Sequence, residues 1–425
     1  MMFVILLFLH PWSMFQHDAK HTGIGEAIGP SYFWIKVQKS IEYKIITGIV
    51  VDKDKNIYFG TQAGYVISLD SLGNERWRFK TNGFVYSTPV VEEDVVYFGS
   101  FDGNVYAVNR RNGNTLWVKN IEKSVTSSIA LHAGFLYLAA KDMIYCINRT
   151  NGTVKWSYTL DQEVISTPAV DDEENVYVQS FYGGIMQGIF CINSGTQRWF
   201  LPTGGGTGSA VVVNDGIVIG GSSGTLYAVS KDGSIKWTKE IGRSLETTPA
   251  VGFSGRIYVG SEEGNVYAID TLGKVLWIKE IGEKIITPPL VDRKENIFIG
   301  TDEGRVISFD KDGNILWQNT PGYRIDLPMA MDSEGSIYLV DADTTILISI
   351  PGTGIEEDKK EISSPFIFFI PLGTKTSLPF KDFSLYSVNG ALLGKFNNGV
   401  IETSNLSKGV YFVRSRDKLA KLVIK

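Results

Sequence analysis

Two short stretches of this sequence carry side chains arranged like metal ligands. His17 and His21 lie four positions apart, a spacing that would bring both imidazoles to one metal ion if the segment were helical. Asp52, Asp54 and Asn56 alternate like the oxygen ligands of a calcium-binding loop, although the turn glycine and the distal glutamate of such a loop are missing. Asp and Asn also favour hairpin turns through local hydrogen bonds, and a histidine pair in a capping segment needs no metal. We therefore assign no metal ligand.

Candidate nucleophiles and general bases are isolated along the chain. Cys146 and Cys191 each stand where equivalent segments carry alanine or serine, so we expect small buried residues. A disulfide would bring their Cα atoms within about 7 Å, which we do not expect of equivalent positions in separate units. His132 has no partner at a spacing typical of a Ser-His-Asp triad or a metal cluster. We therefore assign no catalytic and no cofactor-binding residue, and we expect a protein that is not an enzyme.

A unit of about 40 residues is repeated between residues 40 and 320, so this repeat must position the side chains of that region. Its clearest copy is residues 256–277, RIYVGSEEGNVYAIDTLGKVLW, in which runs of Val, Ile and Tyr are separated by glycine turns and followed by a strand that carries tryptophan. Four-stranded units at this period are typical of propeller blades. The tryptophans that end the seven copies are Trp77, Trp117, Trp156, Trp199, Trp237, Trp277 and Trp317, and we expect them to pack between blades.

The arrangement Ala-[Val/Ile]-[Asn/Asp]-x-x-x-Gly-x-x-[Leu/Lys]-Trp resembles the tryptophan-docking repeat of pyrroloquinoline-quinone-type (PQQ-like) propellers. The resemblance covers residues 11–350, and no Trp-Asp dipeptide of a WD40 blade occurs. Residues 11–23, PWSMFQHDAKHTG, look like the N-terminal segment of the same propellers.

Hydroxyl residues and proline open several innermost strands, and we expect them to line the central channel. These segments include Ser87-Thr88-Pro89, Ser166-Thr167-Pro168 and Thr247-Thr248-Pro249. The resemblance implies that the family's enzymes hold their quinone in this channel. Such a dehydrogenase would also show adjacent cysteines beside the cofactor and an acidic base with calcium ligands, and this sequence has neither pattern.

Two incomplete units at the ends of the repeat region set the number of blades. Residues 327–350 supply three strands without a final tryptophan, whereas residues 32–37 form an orphan strand that carries Trp34. Pairing this strand with the last three would remove the free edges of an open array. The predicted fold is therefore all-β, an eight-bladed propeller of four-stranded blades whose last blade is closed by the N-terminal strand, followed by a small C-terminal β-sandwich domain.

The chain ends differ in composition from the repeats. Residues 3–9 are apolar, too short for a membrane span and typical of a signal peptide, which we place at residues 1–10 and which is possibly truncated. A polar linker, residues 351–363, precedes a domain at 364–425 that resembles the type A C-terminal sorting domain of the type IX secretion system. The positions that carry this resemblance are Gly390, Gly409, Tyr411, Lys421 and Lys425.

Charge and composition argue against some classes of function. The net charge of −5 without a basic block argues against nucleic acid as a partner, and no transmembrane span is expected. We expect a non-catalytic binding or scaffolding propeller without a cofactor, delivered through the periplasm of a Gram-negative-type bacterium to its outer-membrane surface or to the medium. Its expected partners are an unknown protein or glycan and, through the tail, the secretion machinery. The alternatives are a periplasmic factor for outer-membrane-protein assembly and a quinone-dependent dehydrogenase.

Overall fold

The computed structural model describes residues 12–33, 35–180, 187–242, 245, 247–322, 324–341 and 344–349, and beyond residue 365 the backbone of seven strands and Leu406. The chain forms two compact units, Met1–Gly352 and Thr353–Lys425. Within the described residues there is no helical segment with the length and hydropathy of a membrane span.

The first unit is a ring of eight four-stranded antiparallel sheets, the blades, as predicted. Strand β1 (Ile35–Ser40) belongs to blade 8, and each other blade consists of four consecutive strands, from the channel outward. They are β2 (Val50–Val51), β3 (Ile57–Gly60), β4 (Tyr65–Leu69) and β5 (Glu75–Lys80) in blade 1; β6 (Val90–Glu92), β7 (Val95–Gly99), β8 (Asn104–Asn109) and β9 (Thr115–Asn120) in blade 2; β10 (Ala130–His132), β11 (Phe135–Ala140), β12 (Met143–Asn148) and β13 (Val154–Thr159) in blade 3; and β14 (Ala169–Val170), β15 (Val176–Gln179), β16 (Gly188–Asn193) and β17 (Thr196–Pro202) in blade 4.

The second half of the ring repeats this arrangement. Its strands are β18 (Val211–Val213), β19 (Gly216–Gly220), β20 (Thr225–Val229) and β21 (Ile235–Glu240) in blade 5; β22 (Ala250–Val251), β23 (Ile257–Gly260), β24 (Asn265–Ile269) and β25 (Val275–Glu280) in blade 6; β26 (Leu290–Val291), β27 (Ile297–Gly300), β28 (Val306–Phe309) and β29 (Ile315–Asn319) in blade 7; and β30 (Ala330–Met331), β31 (Ile337–Asp341) and β32 (Thr345–Ser349) in blade 8.

Ring closure occurs in blade 8, where the first strand of the chain completes the last sheet. Strand β1 pairs antiparallel with β32, with Val37 opposite Ile348 and Lys39 opposite Ile346, and the inner strand β30 contacts the inner strand β2 of blade 1. The predicted shared blade is therefore confirmed, although the strand begins three residues later than residues 32–37. Trp34 lies outside the described residues.

Burial differs between the strands of a blade. The second strand of blade 6, Ile257–Gly260, is buried throughout, because both of its faces pack against neighbouring blades. The outer strand Val275–Glu280 alternates between half-buried and exposed residues, because only one of its faces meets the next blade. Uninterrupted burial is thus a property of this middle strand and not of the outer one.

The second unit contains a five-stranded sheet and a two-stranded sheet. The strands are β33 (Phe366–Ile370), β34 (Lys375–Ser377), β35 (Phe383–Ser387), β36 (Leu392–Phe396), β37 (Val400–Glu402), β38 (Gly409–Ser415) and β39 (Lys418–Ile424). The larger sheet has the order β33-β39-β38-β35-β36, and β33 runs parallel to β39. Gly409 and Tyr411 lie on β38 and Lys421 lies on β39, whereas Gly390 and Lys425 lie outside the described residues.

Candidate functional site

The inner strands of most blades are covered on their channel side by the N-terminal segment, residues 12–29. An inner strand pairs with its neighbour along one edge, so the N–H groups of its other edge need acceptors from elsewhere. Carbonyl groups of the segment accept hydrogen bonds of 2.7–2.9 Å from the second residue of six inner strands. These bonds join Trp12 to Val51, Ser13 to Val91, Ala19 to Val170, Lys20 to Val212, Thr22 to Val251 and Gly23 to Val291. The segment therefore ties six blades together across the channel.

The two histidines of this segment do not form a metal-binding pair. His17 and His21 have φ angles of 75° and 58°, so the helix that would bring them to one metal is not formed. His21 is buried, and its Nδ1 lies 3.0 Å from the carbonyl oxygen of Ala210. Burial lowers the pKa of His21 to about 4, so the imidazole is neutral and donates this hydrogen bond. The carboxylate of Asp18 accepts hydrogen bonds from the backbone N–H and hydroxyl groups of Thr22, at 3.0 and 2.6 Å.

The acidic loops that resemble calcium sites are hydrogen-bonded hairpin turns. One carboxylate oxygen of Asp52 accepts bonds from the N–H groups of Asp54 and Asn56, at 2.8 and 2.9 Å. Its other oxygen accepts from the Tyr58 hydroxyl at 2.8 Å and lies 2.5 Å from the buried Arg110 guanidinium. The same bonds from the N–H groups two and four residues ahead recur at Asp171, Asp292 and Asp332. No group of three or more His, Cys, Asp or Glu in the described residues is placed to hold a metal ion.

The two cysteines and the repeat tryptophans are paired across strands. Cys146 and Cys191 are free and buried, and burial raises the pKa of each thiol to about 12. They lie opposite Trp156 and Trp199 on the adjacent outer strands. The five other blades with a described tryptophan place alanine or serine opposite it, so a small side chain is required there.

The tryptophans connect successive blades through a hydrogen bond as well as through packing. The indole N–H donates to a carbonyl oxygen of the next blade's outer turn, from Trp77 to Arg110, Trp117 to Arg149, Trp199 to Lys231, Trp237 to Thr271 and Trp277 to Lys311, at 2.7–3.0 Å. Trp317 donates instead to Pro30, 2.7 Å away, directly before the closing strand. Trp156 packs on Tyr137, with ring centroids 6.1 Å apart. The junction between blades 7 and 8 is thus formed by residues from both ends of the propeller.

A cavity of about 460 Å³ occupies the channel beyond the N-terminal segment, whose Phe15 contributes to its wall. One equivalent position from each blade lines it, namely Gly48, Thr88, Ser128, Thr167, Ser209, Thr248, Pro288 and Pro328. Within the segments that the sequence predicted to line the channel, Thr88, Thr167 and Thr248 do so. The preceding hydroxyl residues Ser87, Ser166 and Thr247 are buried and do not contribute to the cavity wall.

The hydroxyl groups of this ring are bonded from blade to blade. Backbone N–H groups donate from Gly48 to Thr88, Thr88 to Ser128, Thr167 to Ser209 and Ser209 to Thr248, at 2.9–3.2 Å. The hydroxyl oxygens of Thr88, Ser128, Ser209 and Thr248 thus each accept a bond from the preceding blade, and within the described part of the chain their O–H hydrogens have no acceptor. The ring therefore presents hydrogen-bond donors to a molecule in the cavity.

The charges of the cavity wall do not suit a quinone cofactor. Pyrroloquinoline quinone is a polycarboxylate, yet none of the described lining residues is lysine or arginine. The two acidic ones, Glu163 and Asp326, belong to blades 4 and 8, on opposite sides of the ring, so they are not positioned to share one calcium ion. Asp326 is already paired with Arg324 at 2.7 Å. The lining residues that the structure describes thus fit neither the quinone nor its metal.

Three aromatic side chains stand at the mouth of the cavity and were not identified from the sequence. Phe84, Tyr86 and Phe101 are 44%, 41% and 38% exposed, and Tyr86 and Phe101 line the cavity. A comparison of the blades with one another would have found them, because the other blades do not carry three aromatic residues at these positions.

Comparison with known proteins gives one family and many structures of one fold. A family model described as outer membrane protein assembly factor BamB matches residues 31–118, 101–248 and 224–367. No curated protein matches the chain significantly.

Solved structures with the same architecture include proteins of different activities. BamB from Moraxella catarrhalis has a TM-score of 0.60 at 16% identity, with 75% of this chain and 99% of that chain covered. Quinohemoprotein alcohol dehydrogenase from Comamonas testosteroni has a TM-score of 0.68 at 11% identity, with 84% and 83% covered. The computationally designed Ika8 protein has a TM-score of 0.65 at 17% identity, with 75% and 99% covered. At these identities the likeness concerns the fold alone.

Proposed function

The chain belongs to the PQQ_2 family, whose model is described as outer membrane protein assembly factor BamB, and on this premise we propose that it is a non-catalytic binding propeller of the bacterial cell exterior. Its ligand enters the central cavity through the mouth at Tyr86 and Phe101. The observation that carries the proposal is the cavity wall, a ring of hydroxyl groups without lysine or arginine among its described residues. Such a wall can bind a molecule, and its described part offers no group to tune a redox cofactor.

The quinone-dependent dehydrogenase is the enzymatic alternative, because a quinohemoprotein alcohol dehydrogenase has the same fold. We expect purified protein with pyrroloquinoline quinone and Ca²⁺ to reduce no dye in the presence of alcohols or sugars, since the described lining residues include no cation for the quinone carboxylates. The measurement is dye reduction above a control without substrate. Substrate-dependent reduction would contradict the non-catalytic proposal.

An assembly factor of the periplasm is the second candidate, and the description of the family model favours it. The resemblance of residues 364–425 to a sorting domain favours delivery beyond the outer membrane instead. The two candidates therefore differ in where the protein resides, which fractionation measures.

The tail gives the prediction that separates these candidates. Deleting residues 355–425 should leave the thermal midpoint of the propeller unchanged, because β1 and β32 close the ring without the tail. In a host with a type IX secretion system, the truncated protein should accumulate in the periplasm, whereas the full chain reaches the surface or medium. Lys421→Arg, which keeps the charge on β39, is the matched control and should be delivered normally. Equal delivery with and without the tail would overturn the sorting assignment, and a full chain retained in the periplasm would favour the assembly factor.

A further inference from the structure

We propose that Phe84, Tyr86 and Phe101 form a stacking platform for a neutral oligosaccharide whose end enters the hydroxyl-lined cavity. This inference rests on the proposed function and names the ligand class of the same site. The three residues are called the aromatic platform below.

The rings of the aromatic platform contact one another at the surface. The centroids of Tyr86 and Phe101 are 4.9 Å apart, and that of Phe84 is 6.2 Å from each of the other two. All three side chains are more than a third exposed. Clustered aromatic surface that the fold leaves in water marks a binding site more often than isolated apolar residues do.

The propeller does not require aromatic residues at these positions. The positions equivalent to Phe84 carry Lys44, Ser124, Glu163, Gly205, Ser244, Lys284 and Arg324. Those equivalent to Phe101 carry Gln62, Lys141, Phe181, Ser222, Glu262, Asp302 and Ala342. Charged or small residues therefore satisfy blade packing at all of these positions except that of Phe181, and no other blade combines three aromatic residues as blade 2 does. The aromatic platform of blade 2 thus serves something other than folding.

The backbone beneath the aromatic platform is held in place before any ligand binds. The N–H of Phe101 donates to the carbonyl oxygen of Phe84 at 2.9 Å. The Ser124 hydroxyl donates to the carbonyl oxygen of Phe101 at 2.8 Å, and Val85, between Phe84 and Tyr86, is fully buried. A platform that is ordered in advance loses little conformational entropy on binding.

The chemistry around the aromatic platform selects a neutral, hydroxyl-rich ligand. Thr88 and Ser128 accept backbone bonds and keep O–H donors for ligand oxygens. Glu163, exposed at the cavity wall, offers a carboxylate acceptor for sugar hydroxyls. An anionic ligand would meet the carboxylate of Glu163 without a cation among the described lining residues, whereas an apolar peptide would leave the hydroxyl donors unpaired. Sugar rings satisfy both parts of the site, since they present C–H faces to aromatic rings and hydroxyl edges to polar groups.

The experiment is calorimetric titration of the full chain with neutral hexasaccharides of glucose, mannose, xylose and N-acetylglucosamine. At least one should bind more tightly than about 1 mM. The double variant Tyr86→Ala/Phe101→Ala should bind it at least about tenfold more weakly, as expected when an interface loses its aromatic anchors. Tyr86→Phe/Phe101→Tyr keeps the rings and should bind like the parent.

The matched control is Phe253→Ala, which removes a 59% exposed ring from the loop between β22 and β23, at the other end of an inner strand. All variants remove or alter exposed side chains, so their melting temperatures should match that of the parent, which shows that each is folded. Binding of no hexasaccharide, or equal binding by the double variant and the control, would overturn the proposal. Binding of an aromatic-rich decapeptide at the platform, with no sugar bound, would also overturn it while leaving the non-catalytic binding function intact.

Discussion

Deletion of residues 1–40 is expected to abolish the cooperative unfolding of the propeller. The deletion removes β1, which leaves Ile346 and Ile348 of β32 on an open sheet edge. It also removes the six carbonyl acceptors of the N-terminal segment and the Pro30 acceptor of Trp317. Because a domain is stable by only about 5–15 kcal/mol, the loss of a strand and these bonds is comparable with the whole stability. The measurement is differential scanning calorimetry.

Two further deletions separate the contributions of this region. Removing residues 1–29 keeps β1 and Pro30, so the ring stays closed and the melt should remain cooperative at a lower temperature. Removing residues 355–425 takes away a longer piece of chain without touching the ring and serves as the control. A 1–40 deletion that melts like the full chain would show that blade 8 does not depend on β1.

The substitution Trp77→Ala is expected to destabilise the propeller by about 3–5 kcal/mol, as a large-to-small change at a buried site. Trp77 is 7% exposed, its indole N–H donates to the Arg110 carbonyl oxygen at 2.9 Å, and its ring packs on Tyr58. Gly113 of blade 2 contacts the same ring at a φ of 73°, a conformation that suits glycine. The substitution therefore opens a cavity between blades 1 and 2. Chemical denaturation measures the change in the free energy of unfolding.

Three other substitutions calibrate this result. Trp77→Phe keeps most of the ring volume and loses mainly the hydrogen bond, so it should cost less than Trp77→Ala. Trp277→Ala should lower the free energy of unfolding less than Trp77→Ala does, because Trp277 is less buried. Leu272→Ala, at an 82% exposed turn position, should stay within about 0.5 kcal/mol of the parent. Equal denaturation midpoints for Trp77→Ala and Leu272→Ala would mean that the tryptophans do not connect the blades.

The blade architecture was predictable because each blade repeats the same local requirements. A tryptophan such as Trp277 lies opposite a small residue, Ala268, and packs on the turn glycine of the next blade, Gly313. These residue types recur at fixed spacing and are therefore visible in the sequence. The ring closure was predictable for the same reason, because the two incomplete units complement each other.

The course of the N-terminal segment was not predictable, because its partners are dispersed along the chain. Trp12 pairs with Val51 and Gly23 pairs with Val291, through backbone groups that any residue possesses. The residue types at these positions therefore do not predict these bonds. The His17–His21 spacing suggested a metal pair only for a helix, and left-handed backbone at both positions removes that geometry.

The aromatic platform escaped the sequence reasoning for a different reason. Phe84, Tyr86 and Phe101 belong to two loops, and aligning the units on their tryptophans draws attention to the outer strands rather than to these loops. Aligning the units on the start of the inner strand would have shown blade 2 as the exception.

Equilibrium dialysis of the purified full chain against pyrroloquinoline quinone and Ca²⁺ tests most directly whether the central cavity is a binding site without redox chemistry. The hydroxyl ring and the acidic residues Glu163 and Asp326 offer no counter-charge to the quinone carboxylates among the described lining residues. The account predicts equal quinone concentrations on both sides of the membrane. Retention of one quinone per chain, lost when the uncharged substitution Thr88→Trp fills the cavity, would contradict it.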